Sequence, residues 1–258
     1  GSEMCIRDRF SQEDYPADKV VNSFGVQDDF LYDYAIPVLN QRAATGQPFF
    51  ATLLSISNHP PYVIPPFFHP KTSEPETQIV EYADWALRQF FEEARKQPWF
   101  DNTIFVLEGD HGKLVGDAEC ELPESYNHIP LMIYSSRIQP EEKTTFGGQV
   151  DIQPTILGLL NIDYLQNNFG VDLLKEERPC MFYTADNMVV GRNDTLLYLY
   201  NYETQQELTY DIGNGKLNAV PMDDSFLPLK EYSFSMLQSA EFLVKHGKTL
   251  NSIPFTQQ

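Results

Sequence analysis

Thr103-Ile-Phe-Val-Leu-Glu-Gly-Asp-His-Gly112 is a short apolar run that stops abruptly in Gly109-Asp110-His111-Gly112. Its length suits a buried strand, and the flanking glycines let the backbone turn sharply where it leaves a sheet. In open α/β sheets that carboxyl edge is where ligands bind. A carboxylate beside an imidazole suits a divalent metal of intermediate hardness such as Mn²⁺ or Zn²⁺. Two adjacent ligands do not complete a site, because metal centres usually draw on three or four protein groups. The sheet and the partners of this pair must be sought in the flanking sequence.

Immediately upstream, Ile79, Tyr82, Ala83, Ala86, Leu87, Phe90 and Phe91 recur at helical spacing and predict an amphipathic helix running to about Lys96. Ahead of it lies a proline-rich loop, Pro60 to Pro70, a candidate wall for a substrate groove. Before that, Pro48 to Ser57 is almost continuously apolar and predicts a strand buried on both faces. It ends in Asn58-His59-Pro60-Pro61-Tyr62, where the prolines stop any ladder. Strand, helix and strand in this order are the βαβ signature of a mainly parallel sheet. Further upstream, Asp28-Asp29 precede Phe30-Leu31-Tyr32-Asp33-Tyr34-Ala35 and predict a helix N-capped by aspartate, kinked at Pro37 and ended near Gly46.

Downstream, Lys113 to Tyr126 reads as a polar, acidic loop and Ile129 to Tyr134 as another strand. Asp151 is expected to N-cap a helix over Ile152 to Leu160, with Pro154 in its first turn. Beyond Gly170 the pattern changes to short strands at Cys180–Thr184, Met188–Gly191, Leu196–Tyr200 and Glu207–Asp211, then a helix from about Ser225 to Lys245. The expected fold class is therefore α/β: a mainly parallel sheet with helices on both faces, plus a small C-terminal antiparallel β/α appendage. Trp85 and Trp99 are expected in the core.

The 258 residues suffice for one large α/β domain or one domain with a small appendage. The formal net charge of −19 argues against nucleic acid or an anionic membrane surface as the main partner. No apolar run approaches the roughly 20 residues that span a bilayer, so the chain as written reads as soluble. Cys5, Cys120 and Cys180 show no C-x-x-C spacing, and pairing of Cys120 with Cys180 is left to the fold. Gly1 to Arg9 fit no periodic pattern and read as a non-native leader. Asn193-Asp194-Thr195 matches a glycosylation sequon but finds no support as one elsewhere in the chain.

Taken in order, these pieces resemble the sulfatase/alkaline phosphatase superfamily, and within it the lipoteichoic acid synthase-like phosphoglycerol transferases of bacterial envelopes. The resemblance runs from about Phe24 to Asp172. It rests on Asp28-Asp29-Phe30-Leu31 with Pro37, Phe49-Phe50-Ala51 through Ser57-Asn58-His59, and Tyr82-Ala83-Asp84-Trp85-Ala86-Leu87. Asp101-Asn102-Thr103-Ile104-Phe105-Val106 followed by Gly109-Asp110-His111-Gly112, then His128-Ile129-Pro130-Leu131 and Gln149-Val150-Asp151-Ile152-Gln153-Pro154-Thr155, complete it.

The resemblance implies an alkaline phosphatase-like sheet and a divalent metal, Mn²⁺ or Mg²⁺ with Zn²⁺ or Ca²⁺ as alternatives. Asp110 and His111 match two metal ligands, and His59 matches a histidine that binds the substrate phosphate. His128 is a candidate for the site's rim. The substrate would be a phospholipid head group or another phosphate or sulfate ester. A threonine nucleophile and an acidic ligand are expected upstream of the Asp28 helix, where Phe10 to Val26 carry no suitable motif; Thr52, inside an apolar strand, cannot replace the threonine. Residues 10–175 therefore read as part of a catalytic domain and 176–258 as its appendage, inactive alone. The parent protein would be extracytoplasmic and membrane-anchored. The rival readings are a sulfatase or phosphatase-type hydrolase and a non-catalytic binding module on the same fold.

Overall fold

The computed structural model of the chain describes residues 8–114, 117–166 and 168–248, so most of the expected leader lies outside it. Two compact units form, one drawn from Gly1–Leu107 with Met132–Gln139, the other from Glu108–Leu131 with Pro140–Gln258.

The first unit begins with an antiparallel hairpin, β1 (Val20–Asn22) and β2 (Gly25–Val26), followed by helix α1 (Asp28–Ala43). α1 continues through Pro37 and packs along α2 (Pro75–Ala94). Their facing stripes bury Ala35, Leu39, Phe90 and Ala94 together with Trp99 and Phe100. A second cluster, Ile79, Tyr82 and Ala86, is covered by Tyr62, Ile64 and Phe68, so the proline-rich loop packs on α2. The expected aspartate cap is not found: α1 is entered from Gln27, and Asp28 lies inside the first turn. Its Oδ1 accepts instead from the amides of Ile56 and Ser57.

Strands β3 (Phe105–Glu108) and β4 (Leu131–Tyr134) pair in a two-stranded sheet. The ring of Phe105 meets those of Phe91, Phe100 and Tyr134 on this unit's apolar side. The strand expected over Pro48 to Ser57 does not form. Its side chains are exposed up to Ser55, with Phe50 83% and Leu54 73% accessible. A strand buried on both faces needs a ladder and a covering layer, and among the described residues this segment has no strand partner. Of the strands expected before residue 140, the described residues form β3 and β4, which pair with each other.

The second unit holds helix α3 (Gln149–Leu159) and an antiparallel meander. Its strands are β5 (Met181–Ala185), β6 (Met188–Arg192), β7 (Leu196–Asn201), β8 (Gln206–Asp211) and β9 (Asn218–Ala219), paired in sequence order. The β5–β6 turn uses Asp186 and Asn187, both at positive φ (46° and 63°), the residue types that tolerate that conformation in a two-residue hairpin. Strand alternation sends Leu197 and Leu199 to one face, with Met188, Val190, Tyr210 and Ile212. Tyr198 goes to the other, with Cys180, Phe226 and Leu229. Helix α4 (Leu227–Lys245) lies on this second face, where Ser233 Oγ donates to Val190 O at 3.2 Å.

The first face is covered by Leu122, 1% accessible, so the loop that reads as merely polar carries an apolar anchor. Cys120 packs with this face and Cys180 with the opposite one; both are free thiols. α3 begins three residues before the expected start. Asp151 is thus the helix's third residue rather than its N-cap, and Pro154 falls in the second turn. Proline has no N–H for the Val150 carbonyl. Gly170 sits against that oxygen so closely that a Cβ would overlap it. No helix among the described residues is long and apolar enough to cross a membrane.

Candidate functional site

At the end of β3 the Gly109–Gly112 backbone folds into a tight loop whose polar groups are nearly all used. Gly109 N–H donates to Pro130 O at 3.4 Å and Gly112 N–H to Tyr126 O at 2.8 Å. Asp110 Oδ1 accepts from the His111 amide at 2.9 Å. His111 Nδ1 lies 2.8 Å from Gly112 O, a contact in which that nitrogen donates. Nε2 is 3.9 Å from Asp110 Oδ2, and both side chains are more than 70% accessible.

A carboxylate oxygen and an imidazole nitrogen are donor types that divalent ions accept, and their 3.9 Å separation would have to close by about half an ångström to form a tetrahedral angle with bonds of about 2.0–2.2 Å. An imidazole held through Nδ1 by a carbonyl is the usual arrangement of a metal-binding histidine. Among the described residues no group of three or more His, Cys, Asp or Glu gathers around a common point, so the chain offers a pair of donors, not a full shell.

The loop rests on later parts of its own unit. A Cβ at Gly112 would overlap the Ser125 carbonyl oxygen, so this position requires glycine for close backbone approach. The segment it touches is a 3₁₀ turn, Glu124–Tyr126, which Leu122 anchors to the meander and Glu124 ties to Arg192 through an ion pair. His128 follows, its amide bonded to Glu124 O at 2.8 Å and its side chain exposed. From α3, the Gln149 carboxamide donates to Gly109 O at 3.2 Å and Asp110 O at 3.0 Å.

The start of α3 is fixed in turn by Asp151, which is fully buried. It accepts from Gly148 N–H (2.8 Å), Val171 N–H (2.8 Å) and a bidentate Arg178 (2.5–3.0 Å). Arg178 also donates to Phe169 O at 2.6 Å and Tyr232 Oη at 3.2 Å. Burial works against the Arg178 charge, but the Asp151 carboxylate outweighs it and holds the guanidinium above its ordinary pKa.

His59 belongs to the first unit, at the end of the exposed apolar run. Its ring lies 4.0 Å, centroid to centroid, from that of Phe24, and its Nδ1 is 2.7 Å from Pro60 O. What positions it is a latch instead of a ladder. Asp28 Oδ1 accepts from the Ile56 and Ser57 amides, both at 3.0 Å, while Ser57 Oγ donates to Gln27 Oε1 at 2.8 Å. Gln27 Nε2 closes the latch on Val63 O at 2.7 Å. Elsewhere in this unit, a cleft of about 230 Å³ between α1 and α2 is lined by Asp29, Asp33 and Glu93 beside Trp85. Burial, then the charges of Asp29 and Glu93, raise the Asp33 pKa, and such acidity disfavours an anionic ester there.

The sequence reading thus finds the Asp110-His111 pair on a formed loop and His128 on the segment that supports it. It does not find Gln149, Asp151 with Arg178, or Asp28 in their positioning roles. Each acts across 27 to 40 residues. One signal was present: a second acidic residue in Asp28-Asp29 is more than one helix end needs.

The sequence model of the family described as Sulfatase matches residues 4–162. Lipoteichoic acid synthase 1 of Bacillus subtilis (strain 168) is 27% identical over 221 residues, covering 78% of this chain and 33% of the relative. The chain therefore spans about a third of the length of that curated relative. A crystal structure of an alkaline phosphatase superfamily protein from Vibrio parahaemolyticus superposes with a TM-score of 0.75 at 25% identity, over 89% of this chain and 58% of that one. The lipoteichoic acid synthase LtaP from Listeria monocytogenes gives 0.73 at 22% identity, over 90% and 62%.

Proposed function

Since the chain belongs to the sulfatase family, in its lipoteichoic acid synthase-like branch, we propose that it is part of the catalytic domain of a bacterial envelope enzyme acting on phosphate esters. The intact enzyme would move a glycerol phosphate-type group from a phospholipid donor. The observation that carries this reading is the Gly109–Gly112 loop, which presents Asp110 Oδ2 and His111 Nε2 together to solvent.

In this reading Asp110 and His111 hold a divalent ion, Mn²⁺ or Mg²⁺, with Zn²⁺ or Ca²⁺ as alternatives. When bound, that ion lowers the pKa of a coordinated hydroxyl and stabilises charge on phosphoryl oxygens. Asp110 supplies anionic charge through Oδ2 while Oδ1 stays engaged with the loop amide. His111 keeps its proton on Nδ1 against the Gly112 carbonyl. His59 would bind the ester phosphate and His128 would serve at the rim, as the resemblance implies. In this reading the nucleophile and the remaining metal ligands would come from sequence upstream of the Asp28 helix, and the chain would have no turnover of its own. Residues 10–175 would be the partial catalytic domain and 176–258 its appendage.

The exposed apolar side chains of Pro48 to Ser57 support a further part of the proposal: in the intact enzyme this segment is a strand of a mainly parallel, alkaline phosphatase-like sheet with helices on both faces. The parent protein would be extracytoplasmic and membrane-anchored, as the resemblance implies. The test is turnover of a chromogenic phosphodiester by purified chain with Mn²⁺. No turnover is expected. Metal-dependent turnover abolished by Asp110→Ala would show that the catalytic centre is complete within this chain.

A further inference from the structure

The side chain that spans from α3 to the metal-donor loop is neutral, exposed and not a metal ligand. Gln149 is the first residue of α3, and both of its carboxamide contacts fall on consecutive carbonyls, Gly109 O and Asp110 O. Two carbonyls in succession would turn freely in a glycine-flanked loop. Holding both fixes the peptide plane between Gly109 and Asp110 and the one after Asp110, and with them the direction in which the Asp110 Cα–Cβ bond leaves the chain. The same loop is held on its far side by Gly112 N–H on Tyr126 O, so Asp110 and His111 sit between two clamps.

The Gln149 clamp is only as firm as its helix end, and that end is unusually well fixed. Asp151, two residues on, is fully buried, and Arg178 answers its charge through more than one hydrogen bond. Arg178 is itself bonded to Phe169 O and Tyr232 Oη. A rigid path therefore runs from the α4 residue Tyr232 through Arg178 and Asp151 to Gln149 and the Asp110 backbone. A surface carboxamide satisfied by water would need none of this.

We propose that Gln149 is a positioning residue for the metal donors, setting the geometry of Asp110 through its backbone and never touching the ion. The proposal rests on the reading of Asp110 and His111 as metal donors. Orienting groups of this kind typically change metal affinity by about 10- to 100-fold when removed.

The test uses Gln149→Met, which keeps the side chain's length and apolar stem and removes both donors. Three quantities are read on the full chain: Mn²⁺ affinity by titration, the urea midpoint, and amide hydrogen exchange at His111 and Gly112 without metal. The expected result is an affinity about tenfold weaker. The urea midpoint should be unchanged, because Gln149 is exposed, and exchange at His111 and Gly112 should be faster. Asp110→Ala, run alongside, should abolish binding. Unchanged affinity and exchange in Gln149→Met, with binding still lost in Asp110→Ala, would overturn the positioning role and leave the metal reading intact. Wild-type chain that binds no Mn²⁺ would overturn the metal reading and the positioning role built on it. A lowered urea midpoint with unchanged exchange at the two amides would assign Gln149 to folding and also overturn the proposal.

Discussion

Two apolar runs of similar character meet opposite fates in this molecule. Leu196–Asn201 becomes β7, paired with β8 along its whole length and with β6 from Leu197 onward, and its Leu197, Tyr198 and Leu199 are wholly buried. Pro48 to Ser57 is at least as apolar, yet forms no ladder and leaves Phe50 and Leu54 in solvent. What separates them is company. β7 has a strand on each edge, α4 over one face and Leu122 against the other. The other run is held near its C-terminal end, where Asp28 takes the Ile56 and Ser57 amides. Hydrophobic content makes a segment able to be a strand, and neighbours decide whether it is one.

The contrast breaks most visibly where charge is buried. Asp151→Ala would leave the Arg178 guanidinium in the interior without its carboxylate, and a loss of about 3–5 kcal/mol is expected from urea unfolding. A loss below about 1 kcal/mol would mean that water reaches Arg178 and that the second unit is looser than its burial implies.

Next come matched leucines. Leu197→Ala should cost about 2–5 kcal/mol, whereas Leu54→Ala should stay within about 0.5 kcal/mol. Equal effects would erase the distinction between the two runs. Leu54→Ser together with Phe50→Ser should also reduce self-association seen by light scattering, since exposed apolar segments promote it.

The smallest effect is alkaline. Burial raises the pKa of Tyr183, Tyr198 and Tyr210 in the meander, and burial followed by the Asp28 charge pushes Tyr32 up to about 12 from an ordinary value of 10.0. Folded chain then holds protons that unfolded chain has released, so stability falls as pH rises. The contribution of Tyr32 is complete below pH 10.0 and lost as pH climbs through about 12. Phenolate absorbance during a pH titration should show these residues ionising late and together with unfolding. Early, independent ionisation would mean that they are solvated in the folded state.

Much of this was legible in the sequence because it is local. The 3.6-residue spacing of Ile79, Tyr82, Ala86 and Phe90 is a property of one helix, and the alternation through Leu196–Asn201 is a property of one strand. The Gly109-Asp110-His111-Gly112 turn likewise follows from its own residues. What escaped is tertiary. Asp151 looks like a helix cap until Arg178 arrives from 27 residues away, and Leu122 looks like one leucine in an acidic loop until the meander supplies a face for it. The strand expected over Pro48 to Ser57 does not form in this chain for the converse reason, since periodicity reports on a segment and is silent about its neighbours.

The central claim is that Asp110 and His111 jointly hold a divalent cation. Water-proton relaxation during titration of the full chain with Mn²⁺ tests it most directly, with Asp110→Ala and His111→Ala measured alongside. Saturable binding to a single site is expected, weak because two donors supply it, and lost in either variant. Binding that persists undiminished in both variants, or no saturable binding in the wild-type chain, would contradict the claim.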